Sequence, residues 1–296
     1  MTSRQAHRPP GDTAPASRRK TLQASHRLSV FAAAVLVLEA VVFAMQLGGD
    51  VTPFVLVTIP AVAAVAVCWA SGGRREVQTL VGRLFVWRVN ARWYLAALGI
   101  PVAEKLAVDL AGTLLGFSTP DRLLGALSVS ALLVPVVVVV PAMLEELGWR
   151  GFGVQAALDD GRSPAWAALV VGLIFMMLHI PLYLPGQLYE GLPVWPLPLI
   201  LLSSSVLLTW IYLRTSSVLL AGLMHAAFNA SVPLTWGLDP AWVWQARAIT
   251  LTLISGLLVA ILIKSVRRTR VGPGGEARQA GRKPSAEERS EIARLH

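Results

Sequence analysis

Apolar residues fall along this chain in eight runs, at approximately 28–47, 51–70, 93–116, 123–148, 164–183, 195–213, 216–236 and 246–264. Each is close to the roughly 20 residues that a helix needs to cross the hydrocarbon core of a bilayer. The runs are separated by turn-forming, polar clusters: Gly48-Gly49-Asp50, Ser71-Gly72-Gly73-Arg74-Arg75, Thr119-Pro120-Asp121, Asp159-Asp160-Gly161-Arg162 and Leu238-Asp239-Pro240. Lone strands would leave backbone groups unpaired in lipid, so the runs predict helices. The fold class is therefore all-α, a polytopic membrane bundle of about eight transmembrane helices.

Composition agrees. Of 296 residues, 55% are hydrophobic and 15% charged, whereas soluble domains hold about one quarter charged residues. The same figures exclude a disordered chain, and the single Cys68 excludes a disulfide scaffold. A net charge of +9 suggests nucleic acid until the charges are placed. With both termini in the cytoplasm, 23 of the 26 Lys and Arg fall on the inner side, Lys105 falls within a span, and only Arg122 and Arg247 fall in external loops. That is the positive-inside pattern of a multi-pass protein of the cell membrane, and it accounts for the basic tails without nucleic acid. Residues 1–27 read as a disordered basic tail, 28–264 as the transmembrane domain and 265–296 as a charged cytoplasmic tail. The stretch 71–92, with five arginines among apolar residues, fits an amphipathic helix on the inner leaflet or an ordinary basic loop.

Ionisable groups inside a bilayer are costly, so those that remain are candidates for function. Only His179 and His225 of the five histidines lie in the apolar body. Near them in sequence are Glu145, Glu146 and Arg150, then Asn229. Glu146 and Arg150 are four residues apart, the spacing of an ion pair along a helix. Glu145 lies about 100° round from Glu146 and faces a different neighbour. Phe175 and His179, and His225 and Asn229, repeat the four-residue spacing, which puts each pair on one helix face. A carboxylate to activate water, with imidazole and amide groups to donate to an oxyanion, makes a hydrolytic centre. A second set, Glu39, Glu104, Lys105 and Asp109, reads as an interhelical polar clamp in which Lys105 and Asp109 neutralise one another, with Glu104 or Glu39 as further partners.

The midpoint between Glu145 and His179 falls at the polar tip around Arg162. The two side chains reach one depth only if the fourth helix continues past Arg150 to about Leu158, with Ser163 capping and Pro164 opening the fifth. Glu145, His179, His225 and Asn229 then converge on one polar pocket.

At Glu145-Glu146-Leu147-Gly148-Trp149-Arg150, Phe175-Met176-Met177-Leu178-His179 and His225-Ala226-Ala227-Phe228-Asn229 the sequence resembles the EExxxR, FxxxH and HxxxN/D motifs of the CPBP intramembrane proteases. That family includes the type II CAAX prenyl endopeptidases and bacteriocin-processing or immunity proteins. The resemblance implies an endopeptidase acting on a membrane-associated protein or peptide, CAAX-type proteins among them. Glu145 would activate water, and Glu146 and Arg150 would support it. His179, His225 and Asn229 would position the water or stabilise the oxyanion, with Phe175 beside them. Two His and a carboxylate are also zinc ligands in type, although no H-E-x-x-H occurs. The cofactor is accordingly none or a divalent metal such as zinc. A non-catalytic immunity or scaffold protein and a transporter are the competing readings.

Overall fold

The structure, a computed structural model, describes residues 26–47, 53–117, 129–231 and 239–271. Residues 1–25 and 272–296 of the tails and the turns at Gly48-Gly49-Asp50, Thr119-Pro120-Asp121 and Leu238 lie outside the described residues, while 265–271 continue the last helix. Among the described residues every regular element is helical. In chain order these are α1 (Arg27–Leu47), α2 (Ile59–Gly82), α3 (Ala91–Leu114), α4 (Val129–Glu146), α5 (Gln155–Asp159), α6 (Pro164–His179), α7 (Pro196–Thr215), α8 (Val218–Ser231) and α9 (Pro240–Val271). A π-helix, Leu147–Val154, joins α4 to α5 without a break. The protein is an all-α membrane bundle. Five stretches, Arg27–Gln46, Val55–Phe85, Pro164–Tyr183, Pro196–Thr215 and Pro240–Ile263, are long and apolar enough to cross a membrane, and Val218–Ala230 is a shorter apolar helix.

Residues up to Thr252 form one compact unit and those from Leu253 onward another. In the first, α8 is the central helix, packed against α3, α4 and α7, while α6 lies on α7 and α1 on α2. Small residues set these approaches. A Cβ on Gly222 would stand 2.8 Å from Met143 Cγ, and one on Gly172 would stand 2.8 Å from Ser205 Cβ. Gly148 is tighter still, since a Cβ there would meet the Pro60 carbonyl carbon and oxygen at 2.5 Å. Backbone cannot rotate aside as a side chain can, so Gly148→Ala forces α2 away from the π-helix. We expect a loss of about 1–3 kcal/mol or more, read as a lower thermal midpoint in detergent. In the second unit Leu253, Leu257 and Ile261 are helical and exposed.

Three expectations need correction. The Ser71–Arg75 cluster does not end a helix. α2 runs through it with a kink at Gly73, whose φ of 63° and ψ of −154° are left-handed and suit a residue without Cβ. The basic stretch beyond it is therefore helical to Gly82 and then turns at Arg83–Phe85. Arg247 is not in an external loop but is 6% exposed within α9. Its Nε donates to Glu104 Oε1 at 2.9 Å and its Nη2 to the Phe228 carbonyl at 3.3 Å. The second polar set also divides. Lys105 and Asp109 pair as their spacing predicts. Glu104 takes Arg247 as its partner, and Glu39, on α1, is in neither pair. Of the two pairs only Glu104–Arg247 joins two helices, α3 and α9, as the clamp reading requires.

The hairpin between α4 and α6 follows the expected course. The helix continues through Gly151 and Gly153 to Asp159, Gly161 turns the chain at φ +76°, and Ser163 caps α6 by accepting from the Trp166 N–H at 3.2 Å. Pro164 opens α6, where its missing N–H is no loss.

Candidate active site

The π-helix begins one residue after the two glutamates. Wide turns of this kind are uncommon and concentrate at functional sites. Gly148, Gly151 and Gly153 keep its surface slender, and the whole segment Leu147–Val154 is buried. The Gly151 carbonyl accepts a hydrogen bond from the Arg83 guanidinium, so the altered ladder leaves that group satisfied.

Glu146 and Arg150 are each fully buried. Arg150 Nη1 donates to Glu146 Oε1 at 2.9 Å, and Nη2 donates to Ser205 Oγ at 3.1 Å. The Ser205 hydroxyl in turn donates to the Ala168 carbonyl at 2.7 Å, tying α7 to α6. Glu146 Oε1 also accepts from His225 Nδ1 at 2.9 Å. One carboxylate thus holds an arginine from its own helical segment and an imidazole from α8. With Nδ1 protonated toward Glu146, His225 presents Nε2 away from the ion pair.

His179 ends α6, and its Nδ1 stands 2.9 Å from the Phe175 carbonyl. A carbonyl only accepts, so Nδ1 carries the proton and a neutral His179 offers a lone pair at Nε2. Phe175 separates and steadies the two imidazoles. Its ring centroid is 4.4 Å from His179 and 6.0 Å from His225, edge-on in both cases, and 5.6 Å from Trp149. The FxxxH spacing therefore places the aromatic against both histidines.

Glu145 differs from Glu146 as the helical angle predicts. It is half-buried and has no hydrogen-bond partner among the described residues. Electrostatic interaction links it to His225, Glu146 and Arg150, and links His179 to His225. Asn229 projects one turn beyond His225 on α8 and is exposed, without a partner among the described residues. The structure thus joins Glu146, Arg150, Phe175, His179 and His225 by direct contact. Glu145 stands beside them, and Asn229 lies at the open end of α8.

Two features escaped the sequence reading. Ser205 was signalled only by the run Ser203-Ser204-Ser205 in an apolar helix. Tyr189, in the loop after α6, lies nearly parallel to His179 with centroids 6.2 Å apart, and packs on Trp244 at 4.9 Å. Nothing in its local sequence distinguishes that tyrosine from any other loop aromatic. Its position comes from the turn that fastens the loop, where Tyr189 N–H donates to the Leu182 carbonyl at 2.8 Å and Trp244 Nε1 donates to Tyr183 Oη at 3.1 Å.

Among the described residues no three His, Cys, Asp or Glu side chains gather closely enough to hold a metal ion, and Glu146 is already engaged by Arg150 and His225.

Comparison with known proteins places residues 127–231 in the family model described as Type II CAAX prenyl endopeptidase Rce1-like. The matched stretch contains all three motifs. No curated protein matches the chain.

Proposed function

We propose that the chain, whose residues 127–231 match the Rce1-like family model, is an intramembrane protease of the CPBP type that hydrolyses a peptide bond in a membrane-associated, CAAX-type protein or peptide, with Glu145 as the base. The observation that carries this reading is the contrast between adjacent carboxylates. Glu146 is fully buried and held by Arg150 and His225, while Glu145 is half-buried and unengaged. A general base must be free to take a proton, and a positioning carboxylate must not be.

The ring tautomers divide the remaining work. His179, with its Nε2 lone pair, accepts from the attacking water and orients it toward Glu145. His225, its Nδ1–H held by Glu146, donates Nε2–H to the developing oxyanion in its doubly protonated form, with Glu146 as the counter-ion throughout, so that it neither gains nor loses a proton in the cycle. Asn229, on the same face of α8, adds an amide donor to the oxyanion. No step needs a metal. The basic loops support cytoplasmic termini and a plasma-membrane location, which brings the polar tip at Arg162 to the cytoplasmic side.

The test uses the protein in liposomes with a farnesylated fluorogenic peptide ending in a CAAX sequence, and the same peptide without the lipid. Cleavage of the farnesylated peptide, undiminished by 1,10-phenanthroline, is the expected result. Absence of cleavage on both peptides overturns the peptidase reading, and loss of activity restored by added zinc overturns its metal-free form.

A further inference from the structure

Glu39 lies in α1, outside the matched segment, and neither the clamp nor the mechanism above uses it. Its position follows from the inward face of its helix. Leu28, Phe31 and Val35 are buried, the last two completely, and Glu39 continues that face one turn on. The face is laid antiparallel along the motif helix. The Arg27 guanidinium sits 5.2 Å from the Phe152 ring centroid, and the Phe31 ring lies 5.1 Å from Phe152 and 5.7 Å from Trp149. From Phe31, Glu39 is about 12 Å further along α1, while Glu145 is about 8 Å back from the level of Trp149 and Phe152, at 1.5 Å per residue. The two carboxyls therefore stand within about one turn of the same level, on facing helices. Glu145 is also the charged group that Glu39 senses electrostatically. Both are half-buried, in contrast to Glu146 and Arg150, which are fully buried.

We propose that Glu39 is a further catalytic residue, the acid that protonates the departing amine while Glu145 serves as the base. The inference rests on the peptidase reading and supplies what that reading lacks. An amine does not leave as its anion, so the scissile nitrogen must gain a proton as the C–N bond breaks. Water adds to the carbonyl carbon, its proton goes to Glu145, and the carbonyl electron pair moves onto the oxygen. The intermediate then collapses. The C–N pair stays on nitrogen and takes the proton of the Glu39 carboxyl, releasing an amine and a carboxylic acid. Glu145 now holds one proton and Glu39 none, and transfer from Glu145 to Glu39 restores the starting state.

The leaving group discriminates. Replacing the scissile N–H of the farnesylated peptide by sulfur gives a thioester whose thiol has an ordinary pKa of about 8.5, and it departs as thiolate without an acid. Wild type, Glu39→Gln and Glu145→Gln are compared in liposomes on both probes. Glu39→Gln is expected to slow amide cleavage by about 10²–10⁴-fold and to leave thioester hydrolysis at the wild-type rate, which also shows that the variant is folded. Glu145→Gln is expected to slow both. Amide cleavage by Glu39→Gln at the wild-type rate, or equal loss on both probes, overturns the role of Glu39 alone. Wild-type rates for Glu145→Gln on both probes overturn Glu145 as the base, and Glu39 as its partner acid with it.

Discussion

Glu145→Gln is expected to lower cleavage of the farnesylated peptide by about 10²–10⁴-fold, the range by which a positioned general base accelerates proton transfer. The substitution keeps shape and volume and removes only the basic oxygen. Its structural cost is small because Glu145 is half-buried and makes no hydrogen bond to any described residue. Activity and stability should therefore separate, with turnover lost and thermal unfolding in detergent unchanged. The neighbouring substitution Glu146→Gln supplies the contrast, because it removes the charge that Arg150 and His225 both address. It should lower stability and turnover together. A Glu145→Gln protein that cleaves at the wild-type rate would move the base to another residue.

Much of this arrangement was legible in the sequence. The hairpin was, because Ser163 and Pro164 are strong local signals for a helix start and because two polar side chains had to reach one depth. The pairing of Glu146 with Arg150 was, because a four-residue spacing survives the local change from α to π turns. The π-helix was not. It depends on three glycines accommodating α2, α6 and α8 at once, a property of the packed neighbours rather than of the segment. The Glu104–Arg247 pair was hidden for a related reason. Its partners are 143 positions apart, and Arg247 looks like an ordinary loop charge until α9 is seen to begin at Pro240. Gly73 misled in the opposite direction. Glycine pairs usually end helices, but a single left-handed residue here bends α2 and lets it resume, carrying its basic end to the Gly151 carbonyl through Arg83. What periodicity could not supply was the depth of Glu39 relative to Glu145, which rests on aromatic contacts between α1 and the π-helix.

Arg150→Met is expected to produce the largest loss of stability. Arg150 is fully buried, and its guanidinium supplies the only permanently charged cation bonded to Glu146 among the described residues. Methionine fills most of the volume, so the cost is electrical rather than steric. It leaves a fully buried carboxylate with His225 as its remaining donor, and it frees Ser205 Oγ from its guanidinium partner. Breaking one half of a buried pair typically costs about 3–5 kcal/mol, which a thermal unfolding series in detergent would show as a large fall in midpoint. Exchanging both partners tests the cause. Glu146→Leu combined with Arg150→Met removes the stranded charge, and a pair replaced by apolar groups of similar volume is often neutral. The double variant should regain most of the lost midpoint while cleavage stays low, because His225 no longer has an acceptor at Nδ1 to fix its ring and balance its charge. If Arg150→Met unfolds at the wild-type midpoint, Glu146 is not held as an ion in the core, and the division of labour between the two glutamates loses its physical basis.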